Sequence, residues 1–509
     1  MKKPYLLIVV PLVLLAAGWL GLNFWLRPAV EEQVRLAVQG ITLSPDGRPS
    51  QSSAQQVKFS PFSRKLTITG LNLRGNMPDG PFTYSVAEVT LNVPLRMLPA
   101  FTPLRGMALP KTGMTPVAEN ITLRNIAWRM PAGHGDVQRE EIDVLRAESG
   151  LIARVLDGQP VSMLEAVYHM GADSARSFSI TADTPATAVK TTIRETSVTG
   201  WQGASIAAVR LDGLRVAREG KETARMAGVM CKDIALPAPG LMNRLMDAVN
   251  AHEGDTEALV NSLSPIMDEM TAAGTPLLGQ ARADGLVLSD GGNSISLAEI
   301  GYDQLSSAPR HIAFFLRGLA VPRAMLADLT ELRLPDITLE LLRYEGQDQS
   351  NASSRQSLIL KAPGLADIDC AFTRYDAGPA SGEQALLLQS FSDLRLNIQD
   401  LGALAWLGRN INADPARAAA DLRNAVAGLE FEASPRNDEL RATLLSFINH
   451  PGKLEIRTAR DKRIGLALLL QALENPAALL TLRAAPGPHT LEEQMRALPA
   501  TTPATPLQQ

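Results

Sequence analysis

Six histidines, two cysteines and one short Asp-x-Asp are the residues of this 509-residue chain whose types suit metal, redox or acid–base chemistry. A metal site needs three or four His, Cys or carboxylate ligands, and sequence announces one by His pairs a helical turn apart or by Cys-x-x-Cys turns. His134, His169, His252, His311, His450 and His489 are widely scattered, and none has a second His or Cys at ligand spacing. His252-Glu253-Gly254-Asp255 comes nearest to a cluster, but it falls at a turn between two helical patterns, where polar residues are expected anyway. Asp367 and Asp369 share one face of a strand pattern. Paired carboxylates do acid–base work only when opposed environments separate their pKa values, and among 53 acidic residues such a pair arises readily. The chain carries no G-x-S-x-G elbow, H-E-x-x-H, Walker A loop or G-x-G-x-x-G. No catalytic, cofactor-binding or metal-binding residue is therefore assigned, no cofactor is expected, and the protein reads as a non-enzyme. Cys231 and Cys370, 139 residues apart, are the only cysteines. They read either as a disulfide, if the body lies outside the cytoplasm, or as two buried thiols.

Composition excludes further classes. With 45% hydrophobic residues the chain is not disordered, and 49 Lys and Arg against 53 Asp and Glu leave no nucleic-acid footprint. Aromatic residues are only 5%, which argues against base-stacking or sugar-stacking platforms. The length suits about two to four domains.

The elements follow from periodicity. Lys2 and Lys3 precede an uncharged run, Pro4 to Leu26, closed by Arg27 and Pro28. Such a run spans roughly 30 Å as a helix, exceeds a cleavable signal core, and is followed by no Ala-x-Ala site. Residues 1–27 are thus expected to be a transmembrane signal anchor that meets the inner membrane through residues 4–26. The N-terminus would be cytoplasmic and the bulk periplasmic; the Arg- and Ala-rich composition suits a Gram-negative bacterium. Residues 28–56 read as a juxtamembrane helix and polar linker. From Val57 the period becomes two, as in Leu66-Thr-Ile68-Thr-Gly70-Leu71-Asn-Leu73, and again over Val86–Leu95 and Ile121–Met130 with a bulge at Asn125-Ile126. Alternation of this kind predicts antiparallel strands with one polar face.

One unit recurs: aliphatic alternation, a small or acidic residue, then Leu or Ile, any residue and a second aliphatic. It appears at Gly70, Gly213, Asp233, Gly285, Gly318 and Asp393. Gly within a strand marks a bulge or bend, so curved strands are expected. Residues 57–400 form the β-rich body, interrupted by a helix pair at about 241–273 whose apolar stripes include Met242, Met246, Met267 and Met270. Residues 401–484 read as a mixed helical C-terminal region, with helices over Leu401–Leu407, Pro415–Val426, Glu439–Ile448 and Ile464–Leu482. Residues 485–509 read as a Pro/Thr-rich tail. The expected fold class is α+β: a transmembrane helix, a curved, mainly antiparallel sheet with inserted amphipathic helices, and the helical C-terminal region.

The Lys-Lys anchor, the stretch from Val57 to Leu73 and the stretch Tyr84-Ser-Val-Ala-Glu-Val-Thr-Leu-Asn-Val93 resemble the opening of the AsmA-like and YdgA-like families of inner-membrane-anchored periplasmic proteins. The likeness covers about the first hundred residues and brings no catalytic residues. It implies a curved sheet with an apolar inner face, envelope maintenance and, in the AsmA-like group, phospholipid transport. On this reading the protein handles lipid or supports envelope assembly, and its partners are phospholipid or another envelope protein, without nucleic acid. A scaffold that docks another envelope protein is the alternative, and an envelope hydrolase with an unrecognised site is a third.

Overall fold

A computed structural model describes residues 25–39, 51–77, 80–101, 113–157, 159, 161, 163–251, 256–272, 278–290, 292–305, 310–327, 335–350, 353–375, 390–458, 463–465 and 475–499. The chain divides into two compact units, Met1–Gly279 and Gln280–Gln509.

The first unit comprises helix α1 (Arg27–Gln39), short strands β1 (Gln51–Ser53) and β2 (Gln56–Ser60), then the long strands β3 (Lys65–Met77) and β4 (Gly80–Asn92). A 3-10 helix (Leu95–Phe101) leads to β5 (Met114–Met130), β6 (Gly133–Glu148), α2 (Ser149–Leu156) and α3 (Met163–His169). Strands β7 (Met170–Thr184), β8 (Val189–Gln202), β9 (Ser205–Arg218) and β10 (Lys221–Ala235) follow, and then the helices α4 (Pro239–Ala251) and α5 (Thr256–Ala272). From β3 to β10 each strand pairs antiparallel with the one before it. Glu219 and Gly220, both at positive φ, close β9 onto β10 in the two-residue hairpin whose twist matches that of the strands.

The second unit is built likewise. Strands β11 (Leu278–Asp290), β12 (Asn293–Leu305) and β13 (His311–Val321) are followed by α6 (Arg323–Ala327), then β14 (Ile337–Ser350), β15 (Ser353–Ala362), β16 (Ala366–Tyr375) and β17 (Ser390–Asp400). All are paired in sequence order and antiparallel. Helices α7 (Ala403–Ile411), α8 (Pro415–Ala427) and α9 (Pro435–Asn449) precede β18 (Lys453–Thr458), β19 (Ile464–Gly465), β20 (Leu480–Ala485) and α10 (Leu491–Ala497). Buried Asp400 accepts hydrogen bonds from the amides of Leu404 (3.0 Å) and Gly402 (3.3 Å), which starts α7. Asp414, Ser434 and Thr490 cap the next three helices through their side chains. The helices close on Ala405, Ala418, Ala419, Ile448, Leu491 and Met495.

Several expectations are corrected. The α+β class gives way to a fold dominated by antiparallel sheet, with strand at 57% against 29% helix. Most of the expected anchor, residues 4–26, lies outside the described residues. Among the described residues no helix is long and apolar enough to cross a membrane, and the placement as a single-pass inner-membrane protein with a periplasmic bulk is set aside. Helix α1 falls in the stretch expected as a juxtamembrane helix: Val30, Val34 and Val38, with Leu26 just before the helix, form a buried stripe, while Arg27, Glu31, Glu32 and Arg35 occupy the rest of it. A stripe of this kind packs on a sheet rather than in lipid. The expected Ile464–Leu482 helix is corrected at its ends, where Ile464–Gly465 is strand and Leu480–Ala485 alternates with period two and pairs with β18, while residues 466–474 lie outside the described residues. Strands β1 and β2 occupy part of the stretch expected as linker.

All six copies of the recurring unit have a left-handed residue within a strand, with φ of 61° at Gly70, 68° at Gly213, 52° at Asp233, 63° at Gly285, 62° at Gly318 and 54° at Asp393. Five of them are not bulges. Thr69 pairs with Glu88 and Leu71 with Val86, so both strands advance equally across Gly70 and no residue is inserted. What changes is the phase. Leu66 and Ile68 before Gly70, and Leu71 and Leu73 after it, are all buried in one cluster, although strict alternation would put the two pairs on opposite faces. Asp393 is different: Asp393 and Leu394 together face Phe372, a true bulge, and the Leu394 amide bonds the Thr458 hydroxyl (3.1 Å).

The register aligns these residues. Gly70, Asn125, Ser179 and Gly213 lie on one line across β3, β5, β7 and β9, on strands that all run in one direction. Gly285 and Gly318 repeat the arrangement on β11 and β13, on either side of Ala298. A Cβ at Gly318 would meet the Ala298 methyl at 2.7 Å. Gly318→Ala is therefore expected to cost about 1–3 kcal/mol, from left-handed strain and crowding, measured by urea denaturation. A loss below about 0.5 kcal/mol would show that the left-handed conformation is not required there.

Candidate functional site

In the first unit the phase reversal brings aliphatic side chains of successive strands onto one face, and the register joins them into rows. Immediately beyond the left-handed line, Leu71, Val86, Ile126, Val137, Ile180 and Ile193 pair in turn from β3 to β8. The row continues to Leu214 and Met226 on β9 and β10. A parallel row joins Ile121, Ile142, Ala175, Val198, Val209 and Cys231 from β5 to β10. The opposite face is charged, with Arg139 beside Glu141 (3.2 Å) and Arg210 beside Asp212 (2.8 Å). Such exposed pairs add about 0–1 kcal/mol each and mainly keep that face wet.

Cover over the apolar face is uneven. The α1 stripe, Met97 and Ala100 of the 3-10 helix, and Leu151, Ile152 and Leu156 of α2 bury the aliphatic residues of β3, β4 and β5. That cluster takes no buried residue from β7 to β10, and no residue of β8, β9 or β10 is fully buried. The aliphatic rows there are half-buried side by side, covered by no helix stripe of this cluster. They form the candidate site.

One acid stands on this face. Glu140 of β6 lies between Leu123 of β5 and Ser177 of β7, and Thr196 of β8 lies opposite Ser177. Loss of water pushes the Glu140 carboxyl above its usual range. Tyr84 is pushed up to about 12, first by burial and then by the charge of Glu140.

The other chemistry-bearing residues stay apart. His134 faces Asp183 (3.7 Å), His169 faces Glu148 (2.9 Å), His311 faces Glu345 (3.9 Å) and His489 faces Glu493 (3.9 Å). His252 to Asp255 lies outside the described residues. Among the described residues no group of three or more His, Cys, Asp or Glu is placed to hold a metal. Asp367 and Asp369 pair across to Gln399 and Asn397 on β17 as ordinary strand residues. Cys231 and Cys370 are both free and half-buried, and burial followed by the Asp369 charge raises the Cys370 thiol. Met246 and Val249 of α4 are exposed, at 41% and 43%, so part of that stripe meets solvent. A cavity of about 690 Å³ among α8, α9 and α10 is lined by Arg423, Asn449, His450 and Glu492 among others. Arg423 faces Glu492 there (3.9 Å), which neutralises it.

Sequence reasoning anticipated the apolar strand residues but not Glu140, Ser177 and Thr196. Each looked like an ordinary polar position, because its place among the aliphatic rows is visible only in the pairing of β5 to β8. The chain matches no known protein family and no curated protein.

A raised carboxyl pKa means that the folded chain holds that proton more tightly than the unfolded chain. The resulting stabilisation is present below the ordinary value of 4.5 and is lost as pH rises through the folded-state value. Glu140→Gln is thus expected to be more stable than the parent at pH 7, with the gain shrinking as pH falls toward 4.5. Urea denaturation across that range checks it, and a pH-independent difference would contradict the buried-acid assignment.

Proposed function

We propose that the protein is a non-catalytic binding protein that holds a lipid acyl chain, or a comparable hydrocarbon, on the apolar face of β7 to β10. The observation that carries this is the set of unbroken aliphatic rows through Ile180, Ile193, Leu214 and Met226, and through Val198 and Val209, half-buried with no fully buried residue in β8 to β10. An apolar surface of this extent, with no helix stripe of the described core cluster over it, invites association and marks a binding surface. Covering half-exposed Val, Leu, Ile and Met side chains yields on the order of 1 kcal/mol each. A face of six such residues therefore supplies enough, after the cost of association, to retain a long hydrocarbon chain.

Among the described residues no group of three or more His, Cys, Asp or Glu is placed to hold a metal, so the reading rests on the apolar face. The likeness of Val57–Leu73 and Tyr84–Val93 to the opening strands of AsmA-like proteins points the same way. Gentle purification followed by solvent extraction and mass spectrometry is expected to find acyl lipid with the parent chain. Leu214→Glu with Val209→Glu, both at half-exposed positions, is expected to lower it severalfold without unfolding. A parent chain that is monodisperse, stable and free of lipid would overturn the reading.

A further inference from the structure

The polar residues on the apolar face fall into a line. By register, Glu140 of β6, Ser177 of β7 and Thr196 of β8 stand opposite one another. Adjacent strands are about 4.8 Å apart, so the three side chains span roughly 10 Å across the strands. Aliphatic rows flank the line on both sides: Val137, Ile180 and Ile193 on one, Ile142, Ala175 and Val198 on the other. Among the described residues none of the three side chains has a hydrogen bond or ion pair within the protein, and the one titratable group that feels the Glu140 charge is Tyr84. Arg139 and Glu141, its chain neighbours, point to the opposite face, where they pair with each other.

A lone carboxylate here does nothing for the fold. It costs desolvation, and a Leu at the same position would extend the row from Leu123. Its position is also specific. Leu123 on one side packs against the core that the helices cover, and Ser177 and Thr196 lead out under the uncovered rows. An occupant whose hydrocarbon lies on the open rows would bring its polar end to this boundary.

We infer that Glu140, Ser177 and Thr196 receive the polar end of a long-chain amine, the carboxylate pairing with the ammonium and the two hydroxyls accepting from or donating to the group beside it. This rests on the apolar-chain reading above and adds the charge of the occupant. An ammonium supplies the missing countercharge in a half-dry site, where a charge-assisted hydrogen bond is strongest. A carboxylate or phosphate headgroup would instead meet Glu140 with like charge.

Titration calorimetry of the full chain with decylamine, decan-1-ol and decanoate at pH 7 tests it. Decylamine is expected to bind about tenfold more tightly than decan-1-ol, with decanoate weakest. In Glu140→Gln, amine and alcohol are expected to bind alike, because the variant keeps the shape and loses the charge. Alcohol and amine binding equally to the parent, or an amine preference that survives in Glu140→Gln, would overturn the inference while leaving the apolar-chain reading in place. Failure of all three probes to bind would overturn that reading itself.

Discussion

An extended strand gives one face every second residue, and a long strand that kinks without correction turns the rest of its apolar residues toward water. In this protein a single left-handed residue corrects the phase in mid-strand. Leu66 and Ile68 on one side of Gly70, with Leu71 and Leu73 on the other, bury together because the backbone at φ 61° reverses the alternation. The partner strand keeps its register, so no hydrogen-bonded rung is displaced. The conformation costs about 1–2 kcal/mol for most L-residues. Its positions accordingly hold Gly, Asn, Asp and Ser, the small or locally hydrogen-bonding types. Without it, neither the covered core nor the open rows would exist as continuous surfaces.

The same device separates two environments in each unit. In the second unit the row Ile300, Leu316, Leu342, Leu360, Ile368 and Ile398 crosses β12 to β17 on one face. The other face carries Glu299 between Arg282 (3.5 Å) and Arg317 (2.9 Å), and Glu455 between Arg395 and Arg457. Phe315 survives on that charged side because the Arg282 and Arg317 guanidinium groups lie over its ring, at 5.5 and 4.9 Å. Where helices supply a matching stripe, as α1 does in the first unit, the apolar face becomes core. Where no described helix does, as on β8 to β10, no residue is fully buried.

Much of this was legible from residue order. The recurring Gly-Leu-x-aliphatic unit located six of the left-handed residues, since it is the pattern a one-sided strand must show on either side of a phase reversal. It did not locate Ser179 or Gly200, whose surroundings carry too few aliphatic residues to display the change of phase. The bulge reading was the natural one for Gly in a strand, and only the pairing shows that five of the six insert nothing. The run to Leu26 read as membrane-spanning because hydropathy is summed along the chain, and most of it lies outside the described residues; the Leu26, Val30, Val34 and Val38 stripe that follows is settled by what lies beside it.

By itself the sequence determined the strand period and most of the positions where that period breaks. These are local properties, set by side-chain type and by backbone conformational cost within a few residues. The tertiary structure alone decided which rows the strands form, which rows the helices cover, and that Glu140 lies among aliphatic neighbours from β5 and β7. Those depend on register between strands distant in sequence, and burial is a property of the neighbours a residue is given.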